Sequence, residues 1–547
     1  MTPAIVFEPD GYRTDGQRLM GRQAAGNGFL RAAVAASGGQ TLFGYTPTHK
    51  SATAFASTVA EIDAKARTEW LPPGRDDALA RIGHLYLPGP NLGEFARQRL
   101  RAAPFAWSLT GVTHTTASHG AMDGIADLLS APVMPWDALV CTSNAVLSTV
   151  RVVLESQREY LRWRFGNPLS LTLPQLPVIP LGVHCKDFEV DPEVRRLSRQ
   201  ALAIQEDEVV ALFVGRLSFH AKAHPHAMYA GLQAAARATG RKLVLIQCGW
   251  FANKAIEQAF RSGTAACPDV RCIFTDGRAG LSRRNSWAAA DIFISLSDNI
   301  QETFGLSPIE AMAAGLPVVV TDWDGYRDTV RDGIDGFRVP TWMPAPGAGD
   351  VLARAHESGL ENYDAYCGLA CQNVAVDMNV LVDRLKALAD SAELRQKMGA
   401  AGRARARDVF DWGVVYRRYQ QLWADLDGIR PKSAAGPAPR ANPARLDPFL
   451  AFAHYPTQQV TPATRVSAAA GATAQSYAAL SAHTLFSYAR EALPSAQAVA
   501  ALWPMLAQAG GVSVRELAHS AKAGEAEVAR AVTALAKMGL VELLNAS

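Results

Sequence analysis

The stretch that decides the fold reads Gln301-Glu302-Thr303-Phe304-Gly305-Leu306-Ser307-Pro308-Ile309-Glu310, and an apolar run over residues 311–321 follows at once. Gly305 and the Ser307-Pro308 pair predict a break in the chain and then a new helix. The serine is the expected N-cap, the proline takes the first helical position, and Glu310 completes a capping box. We therefore predict a loop, a helix and a buried strand in succession, which is part of a parallel α/β sheet.

The two carboxylates of this stretch, Glu302 and Glu310, are eight residues apart. An unbroken helix would separate them by about 80° around its axis and about 12 Å along it. The predicted break instead places Glu302 in a loop, with the backbone N–H groups of residues 303–306 between the two acids. This arrangement suits an elongated ligand with an anion in its middle, such as a nucleotide sugar. A purely structural alternative is that Glu310 only caps its helix.

Short apolar runs alternate with helical patterns through most of the chain, which is typical of doubly wound parallel sheets. A first series of predicted strands comprises residues 4–7, 41–45, 82–87, 105–111, 138–142 and 177–180. A second series comprises residues 209–214, 242–247, 270–275, 291–296, 316–321 and 336–339. The predicted fold class is therefore α/β, with two Rossmann-like domains that face each other across a cleft.

Domain boundaries follow from changes in composition. We expect a first domain over residues 1–183 and a second over 184–426, whose last helices return to the first domain near Phe410-Asp411-Trp412. A Pro/Ala-rich linker is predicted over 427–464. Residues 465–547 combine helical patterns with a final strand-like run, which predicts a small, mostly helical module of winged-helix type.

Bulk properties exclude several classes of protein. Among 547 residues, Lys and Arg number 54 and Asp and Glu 51, so the formal net charge is only +3 and gives no general attraction to nucleic acid. The seven cysteines show no Cys-x2-Cys spacing, which argues against a disulfide framework and a zinc site. The sequence has no leader pattern and no membrane span, so we expect a cytoplasmic protein.

The segment from Trp287 to Ser297, continued through Glu302 to Asp324-Gly325-Tyr326-Arg327, resembles the donor-binding signature of glycosyltransferase family 4. The resemblance covers about residues 1–426 and is strongest over 205–340. It implies the GT-B architecture and a retaining transferase. Such an enzyme moves a hexosyl group from a nucleotide-diphosphate sugar to a glycan, lipid-linked or small-molecule acceptor.

Two cations, Arg216 and Lys222, follow the predicted strand 209–214. Loops at strand ends face the ligand crevice in open α/β sheets, so two cations there can converge on a diphosphate. They also match the spacing of the diphosphate-binding Arg and Lys of family 4. This chain departs from the family pattern in having Ala223 and then His224-Pro225 where glycine is usual after the lysine. The structural alternative is a pair of solvated loop charges.

The resemblance also implies roles for residues. No protein nucleophile is expected, and the leaving diphosphate helps to deprotonate the acceptor, so the protein stabilises charge on the departing group. Glu302 would contact the donor sugar and Glu310 the ribose. The catalytic residues implied are Glu302, His114, Arg216 and Lys222. The donor-binding residues implied are Arg216, Lys222, Asp276, Thr303, Phe304, Gly305, Leu306, Glu310, Gly26, Asn27 and Gly28.

The first domain is expected to contribute a glycine-rich loop and a histidine. The run over residues 21–30, which contains Gly26, Asn27 and Gly28, follows the first strand, and glycine permits close approach to a phosphate. His114 follows a predicted strand end and resembles the family's sugar-contacting histidine, with His119 as a rival. Asp276 lies in the loop expected on the nucleotide-base side.

No cofactor or metal is predicted. Asp322-Trp323-Asp324 imitates an Asp-x-Asp metal motif, but it lies where family 4 members carry a glycine-containing loop. Carboxylates beside the cations that bind the phosphates would also be redundant. The sequence does not identify the donor base, the sugar or the acceptor.

Two alternatives stay open. A GT-B phosphorylase or epimerase would use the same cleft, and a regulatory protein would act through the C-terminal module. That module more readily fits a protein partner than nucleic acid, because its predicted recognition helix has only Arg530 and Lys537 as cations. Peripheral contact with the inner membrane face is a further possibility, through Arg97, Arg99 and Arg101 or through the arginines of 158–164 with Trp163.

Overall fold

The computed structural model describes residues 2–13, 21–166, 171–432, 439, 442–508 and 510–544. The chain divides into two compact units, Met1–Asn442 and Pro443–Ser547. The first unit contains two parallel six-stranded sheets with flanking helices. The predicted α/β fold class with two doubly wound domains is therefore confirmed.

The N-terminal sheet has the strand order β3-β2-β1-β4-β5-β6. Its strands are β1 (Ala4–Val6), β2 (Leu42–Tyr45), β3 (Thr68–Leu71), β4 (His84–Leu87), β5 (Ser108–Val112) and β6 (Ala138–Val140). The helices are α1 (Pro9–Tyr12), α2 (Gly21–Ala36), α3 (His49–Ile62), α4 (Asp76–Ile82), α5 (Leu92–Arg99), α6 (His119–Ala126) and α7 (Asn144–Phe165).

Two strand predictions in this domain differ from the structure. The edge strand β3 was not predicted, because Thr68, Glu69 and Trp70 are exposed or half-buried and leave no apolar run. The predicted strand at 177–180 is wrong. Only isolated parallel bridges form there, at Gln175 and Val178, because Pro177 and Pro180 lack the N–H groups that a ladder requires.

The structure also bears on the membrane contact considered for Arg97, Arg99 and Arg101, and Arg99 is the clearest case. Its side chain is fully buried and makes a bidentate ion pair with Asp137, with N···O distances of 2.6 and 2.7 Å. Arg97 is likewise paired, with Asp127. Of the membrane contacts that the sequence left open, the one through Arg97 and Arg99 is therefore disfavoured, since pairing, and for Arg99 burial, hold their guanidinium groups within the domain.

The C-terminal sheet has the strand order β12-β11-β10-β7-β8-β9. Its strands are β7 (Val209–Val214), β8 (Leu243–Gly249), β9 (Val270–Asp276), β10 (Ile292–Ser295), β11 (Val318–Thr321) and β12 (Gly336–Val339). The flanking helices are α8 (Pro192–Ala201), α9 (His226–Thr239), α10 (Lys254–Gly263), α11 (Gly280–Ala289), α12 (Leu306–Ala313) and α13 (Tyr326–Thr329). Strands β7 and β8 are buried along their whole length, as continuous apolar runs in parallel sheets are.

An excursion leaves this sheet after β12. Strands β13 (Thr341–Trp342) and β14 (Ala375–Val376) pair antiparallel, and α14 (Asp350–Glu357) and α15 (Tyr363–Cys371) lie between them. We call residues 341–376 the inserted arm. Helices α16 (Met378–Asp390) and α17 (Ala392–Arg405) follow, then a π-helical turn over Ala406–Phe410 and α18 (Trp412–Ile429).

The chain returns to the N-terminal domain at Trp412. Val183 donates its backbone N–H to Phe410 and accepts one from Trp412, at 2.8 and 3.0 Å. Helix α18 then packs into the N-terminal core, where Trp412 and Tyr419 meet Phe29 edge-on. This crossing holds the two sheets of the first unit together.

The second unit has its own core and a three-stranded antiparallel sheet in the order β16-β15-β17. Its strands are β15 (Arg465–Ala468), β16 (Val512–Ser513) and β17 (Val541–Leu544). Its helices are α19 (Pro448–Ala451), α20 (Ala474–Ala482), α21 (Thr484–Ser487), α22 (Ala496–Leu506), α23 (Val514–Ala521) and α24 (Glu525–Lys537). Residues 433–438, 440 and 441 of the predicted linker lie outside the described residues.

Candidate active site

A cleft of about 1070 Å³ lies between the two sheets of the first unit. The segments that follow β7, β8, β9 and β10 line one side, as expected for the carboxyl ends of parallel strands. Segments from the N-terminal domain line the other side. Of the described residues, eight with basic and five with acidic side chains border the cleft, so its electrostatic character favours an anionic ligand.

Most of the predicted site residues meet in this cleft. Those that line it are His114, Arg216, Lys222, Glu302, Thr303, Phe304, Gly305, Leu306, Glu310, Asn27 and Gly28. Gly26 and Asp276 are not among its lining residues. The convergence is the result of topology, because the contributing segments come from both domains.

Arg216 and Lys222 belong to the loop after β7, and this loop is tied to the loop after β10. The Arg216 guanidinium donates to the backbone oxygen of Ala221 at 2.8 Å. The Gln301 amide donates to the same oxygen at 3.2 Å, and Asn299 donates to the backbone oxygen of His220 at 2.8 Å. These bonds fix the direction of the Arg216 side chain beside the cleft.

Lys222 donates a hydrogen bond to the carboxylate of Glu302, and the two side chains are only 19% and 13% exposed. Burial by itself would lower the pKa of Lys222, but the Glu302 carboxylate outweighs it and raises that pKa above its ordinary value. Lys222 is therefore an ammonium ion at neutral pH. The pair links the two loops that carry the predicted phosphate and sugar contacts.

Helix α12 begins two residues earlier than predicted. Its N-cap is Gly305, with φ of +78°, and no described side chain accepts a hydrogen bond from the first turn. The predicted capping box at Ser307 and Glu310 is therefore wrong, because the left-handed glycine starts the helix first. Within the part of the chain that the structure describes, the N–H groups of this first turn have no side-chain acceptor, so at the cleft wall they can bind an anion.

Only glycine fits at position 305. A Cβ there would lie 2.0 Å from the ring of Tyr326, and the positive φ also disfavours other residues. The Tyr326 hydroxyl is held in turn by Ser295, at 2.9 Å. The start of α12 is thus fixed by a packed tyrosine behind it.

Glu310 lies one turn into α12 and reaches the cleft wall. Burial raises the pKa of its carboxyl to about 7, although Arg283 and Lys222 act in the opposite direction. Its charge therefore changes near neutral pH.

Arg283 and Arg284, which belong to α11, also line the cleft, and neither was predicted from the sequence. The Arg283-Arg284 pair after the expected base-side loop was the available signal.

His114 follows β5, and its side chain lines the cleft from the N-terminal domain. Burial, assisted by the charge of Arg22, lowers the pKa of His114 to about 4, so the ring is neutral at pH 7. Its backbone oxygen accepts a hydrogen bond from the Thr303 hydroxyl at 3.0 Å, and Ser143 donates to the backbone oxygen of Thr303 at 2.8 Å. The N-terminal domain thus contacts the loop before α12 directly.

The rival histidine, His119, begins α6. Its ring stacks on His356 of the inserted arm, with centroids 3.8 Å apart. His119 is not among the residues that line the cleft.

The glycine-rich run of the first domain is helical rather than a loop, because α2 already begins at Gly21. Gly28 is required by packing, since a Cβ there would lie 2.1 Å from the indole nitrogen of Trp412. Gly26 packs in the same way against the backbone of Gly11. Asn27 donates to the backbone oxygen of Tyr12 at 3.2 Å, and the preceding residues 14–20 lie outside the described part of the chain.

Asp276 ends β9 and pairs with Arg278 at 2.8 Å on the exposed surface. The adjacent Gly277 and Arg278 line the cleft instead. The expected base-side loop therefore borders the cleft, with the carboxylate of Asp276 held on Arg278.

Asp322 and Asp324 do not converge. Asp322 pairs with Arg338 at 3.2 Å, whereas Asp324 accepts a hydrogen bond from Ser143 at 3.5 Å. Among the described residues, no group of three or more His, Cys, Asp or Glu side chains could hold a metal ion.

None of the helices in the described ranges combines the length and the apolar character of a membrane span.

Comparison with known proteins agrees with this geometry. Residues 194–345 match the family described as glycosyl transferases group 1. The chain is 29% identical to the D-inositol 3-phosphate glycosyltransferase of Geodermatophilus obscurus over 312 residues, 54% of this chain and 63% of that protein. It is 29% identical to the phosphatidyl-myo-inositol mannosyltransferase of Mycobacterium tuberculosis over 146 residues, 27% of this chain and 30% of that protein.

The matched regions are partial, so the chain spans less than two thirds of the length of either relative. Among solved structures, Anabaena HepE in complex with UDP and glucose covers 78% of this chain over the whole of its own, with 13% identity and a TM-score of 0.49. Residues 194–345 are thus similar to the glycosyl transferases group 1 family, and the relatives by sequence named above are glycosyltransferases.

Proposed function

We propose that the protein is a retaining glycosyltransferase that moves a hexosyl group from a nucleoside-diphosphate sugar to a hydroxyl-bearing glycan, lipid-linked or small-molecule acceptor. One observation carries the proposal. Arg216, Lys222, the first amides of α12 and the acids Glu302 and Glu310 border a single cleft between the two sheets. The group 1 match over residues 194–345 covers most of these residues.

The charge distribution supports binding of a diphosphate in the middle of the cleft. Arg216, Lys222 and the uncapped start of α12 provide fixed positive charge and N–H donors, which need no reorganisation when negative charge develops. Glu302 lies beside Lys222 and would accept hydrogen bonds from hydroxyl groups of the donor sugar. Glu310 lies further along α12 and would accept hydrogen bonds from the ribose.

The proposed reaction breaks the bond between the anomeric carbon and the diphosphate oxygen and forms a bond from the acceptor oxygen to the same face of that carbon. The acceptor proton passes to the leaving diphosphate. In this scheme Lys222 and Arg216 stabilise the departing oxygens, and neutral His114 donates or accepts a hydrogen bond at the sugar. The reaction is proposed to be metal-independent, because side chains and backbone amides carry the stabilising charge.

The N-terminal domain is proposed to contact the inner membrane face through the end of α7, so that a lipid-linked acceptor can be used there. The last two turns of α7 expose Tyr160, Trp163 and Phe165, and Trp163 is 78% exposed. Arg164 flanks them, as do Arg158 and Arg162, which remain partly exposed although both pair with Glu155. Aromatic side chains among arginines are characteristic of segments that bind anionic membrane surfaces.

The second unit is proposed to be a winged-helix-like module that binds a protein. Its three-stranded sheet and the helices α22, α23 and α24 match the elements of such a module. Helix α24 carries Glu525 and Glu527 as well as Arg530 and Lys537. This balance of charge disfavours the phosphate contacts that dominate binding to DNA.

A thermal-shift screen against nucleoside diphosphates tests the proposal and identifies the donor base. A diphosphate at a hundred times its dissociation constant should add about 2.7 kcal/mol to the free energy of unfolding. Transfer from the matching nucleotide sugar should then give a product with the donor's anomeric configuration. Failure of every nucleoside diphosphate to raise the melting temperature would contradict the proposal, and phosphate-dependent release of sugar phosphate would favour a phosphorylase.

A further inference from the structure

The inserted arm is one of the segments of the C-terminal domain that contact the N-terminal domain beside the cleft. It leaves after β12 and returns at β14, where Thr341 pairs with Val376 to close its base. The family match ends at residue 345, so nearly all of the arm lies beyond the matched region. The arm is therefore a feature of this chain that the family match does not account for.

Helix α15 anchors the arm to the loop that carries Arg216 and Lys222. Gly368 lies so close to His220 that a Cβ on it would be 2.9 Å from the His220 Cβ. The thiol of Cys371 also donates to the backbone oxygen of Phe219 at 3.7 Å. The second half of α15 is therefore packed against the loop that carries the proposed diphosphate site.

The same helix contacts the N-terminal domain. The Tyr363 hydroxyl lies 3.1 Å from the Thr115 hydroxyl, next to His114. A second contact is the stack of His119 on His356, which itself stacks on Tyr366 at 4.4 Å. Two independent contacts thus place the arm against the segment that follows β5.

Tyr363 and its neighbour Asp364 line the cleft at this point. Within the described part of the chain, the carboxylate of Asp364 has no hydrogen bond or ion pair, and its side chain is exposed. Apart from His114, the proposed donor contacts come from the loops after β7 and β10 and from α12. Tyr363 and Asp364 instead face the cleft beside the N-terminal domain, on the side left for an acceptor.

We propose that Tyr363 and Asp364 determine acceptor specificity by binding the hydroxyl groups of a polyol. This inference rests on the proposed transferase function. A phenol hydroxyl and a carboxylate together offer one donor and several acceptors, which suits vicinal hydroxyl groups. The negative charge of Asp364 also disfavours an acceptor that carries a phosphate beside the reacting hydroxyl.

The test measures nucleoside diphosphate release from the donor found by the thermal-shift screen. Release is followed with water alone, with myo-inositol, with D-inositol 3-phosphate, and with methyl α-D-glucoside and methyl α-D-mannoside. The variants are Tyr363→Phe, Asp364→Asn and Asp364→Lys. Matched controls on the same arm are Tyr366→Phe and Asp350→Asn, neither of which lines the cleft.

We expect at least one neutral polyol to stimulate release by the wild-type protein. Tyr363→Phe and Asp364→Asn should each raise its KM about three- to tenfold, the loss of one hydrogen bond. Donor KM and the rate with water alone should stay unchanged, because donor contacts are elsewhere. Asp364→Lys should shift the preference toward the phosphate-bearing acceptor, and both controls should behave as wild type.

The two proposals fail in different ways. A wild-type protein that binds no nucleoside diphosphate refutes the proposed function itself. If it binds one, the inference is overturned when no polyol stimulates release, when acceptor KM is the same in all variants, or when release with water and transfer decline equally. Equal decline would mean that the arm only supports the fold.

Discussion

Lys222 and Glu302 form an ion pair that joins the loop after β7 to the loop before α12, although they are 80 residues apart in the sequence. The Glu302 carboxylate keeps Lys222 charged, since burial alone would lower the pKa of Lys222. A ligand that inserts a diphosphate beside Lys222 adds a second anionic partner for the same ammonium. The pair thus keeps the cation in place while the cleft holds no ligand.

Glu310 predicts a measurable pH dependence of stability. Its folded-state pKa of about 7 is above the ordinary value of 4.5, so the folded protein holds this proton more tightly than the unfolded chain. Stability is therefore lost as pH rises from about 4.5 to 7, by up to about 3 kcal/mol. Glu310→Gln should remove this loss. Urea unfolding at pH 5 and pH 8 should show the variant gaining stability relative to wild type, and a constant difference would contradict the prediction.

Metal removal should not affect turnover. The positive charge at the proposed diphosphate site comes from Arg216, Lys222 and backbone amides, so incubation with EDTA followed by dialysis should leave the rate within about twofold of the untreated protein. Asp322→Asn and Asp324→Asn should show the same insensitivity to EDTA. A loss on chelation that Mg²⁺ or Mn²⁺ restores would require a metal site that this account does not include.

The exposed end of α7 predicts binding to anionic vesicles. The double variant Trp163→Ala, Arg164→Ala should reduce co-sedimentation with vesicles of phosphatidylglycerol and phosphatidylethanolamine about tenfold, since one basic residue near the surface contributes about 1 kcal/mol. Added salt should weaken the wild-type interaction. Trp342→Ala removes an equally exposed tryptophan of the inserted arm and serves as the control. Equal effects of both changes, or salt-insensitive binding, would argue against this surface.

Gly305→Ala tests the start of α12. The added methyl group would meet Tyr326 at 2.0 Å in a left-handed conformation. We expect a loss of about 1–3 kcal/mol in the free energy of unfolding and a weaker affinity for nucleoside diphosphate. Gly428→Ala, where a Cβ meets open space, is the matched control. If Gly305→Ala binds the diphosphate as wild type does, the helix start does not hold the anion.

The repeating pattern of the sequence was sufficient to predict the two sheets. Strands β7 and β12 have the predicted bounds, and β7 is a continuous apolar run, as buried parallel strands are. The edge strand β3 could not be found in this way, since its exposed residues carry no such signal. The start of α12 at Gly305 could not be predicted for a different reason. A serine-proline pair is a good local helix start, but a glycine packed against Tyr326 begins the helix earlier, and that contact depends on the folded protein.

The sequence predicted those residues of the candidate site that lie in, or directly after, short loops at strand ends. Arg216, Lys222, Glu302 and Glu310 meet because parallel strands end at one edge of a sheet. Gly28 lines the cleft, but the sequence did not show that it also makes room for Trp412, which is distant along the chain. Tyr363 was missed for the same reason. Nothing near it in the sequence shows that the inserted arm returns to the cleft.

The role of Lys222 and Glu302 in binding the diphosphate and the sugar is tested by the donor turnover of Lys222→Ala and Glu302→Ala. Circular dichroism must first show that both variants are folded. Lys242→Ala, which removes an exposed ion pair with Asp207 outside the cleft, is the control. Each cleft variant should lose at least about a hundredfold in turnover, whereas the control should not. Near-normal turnover in both cleft variants would contradict the claim that this pair serves the diphosphate and the sugar.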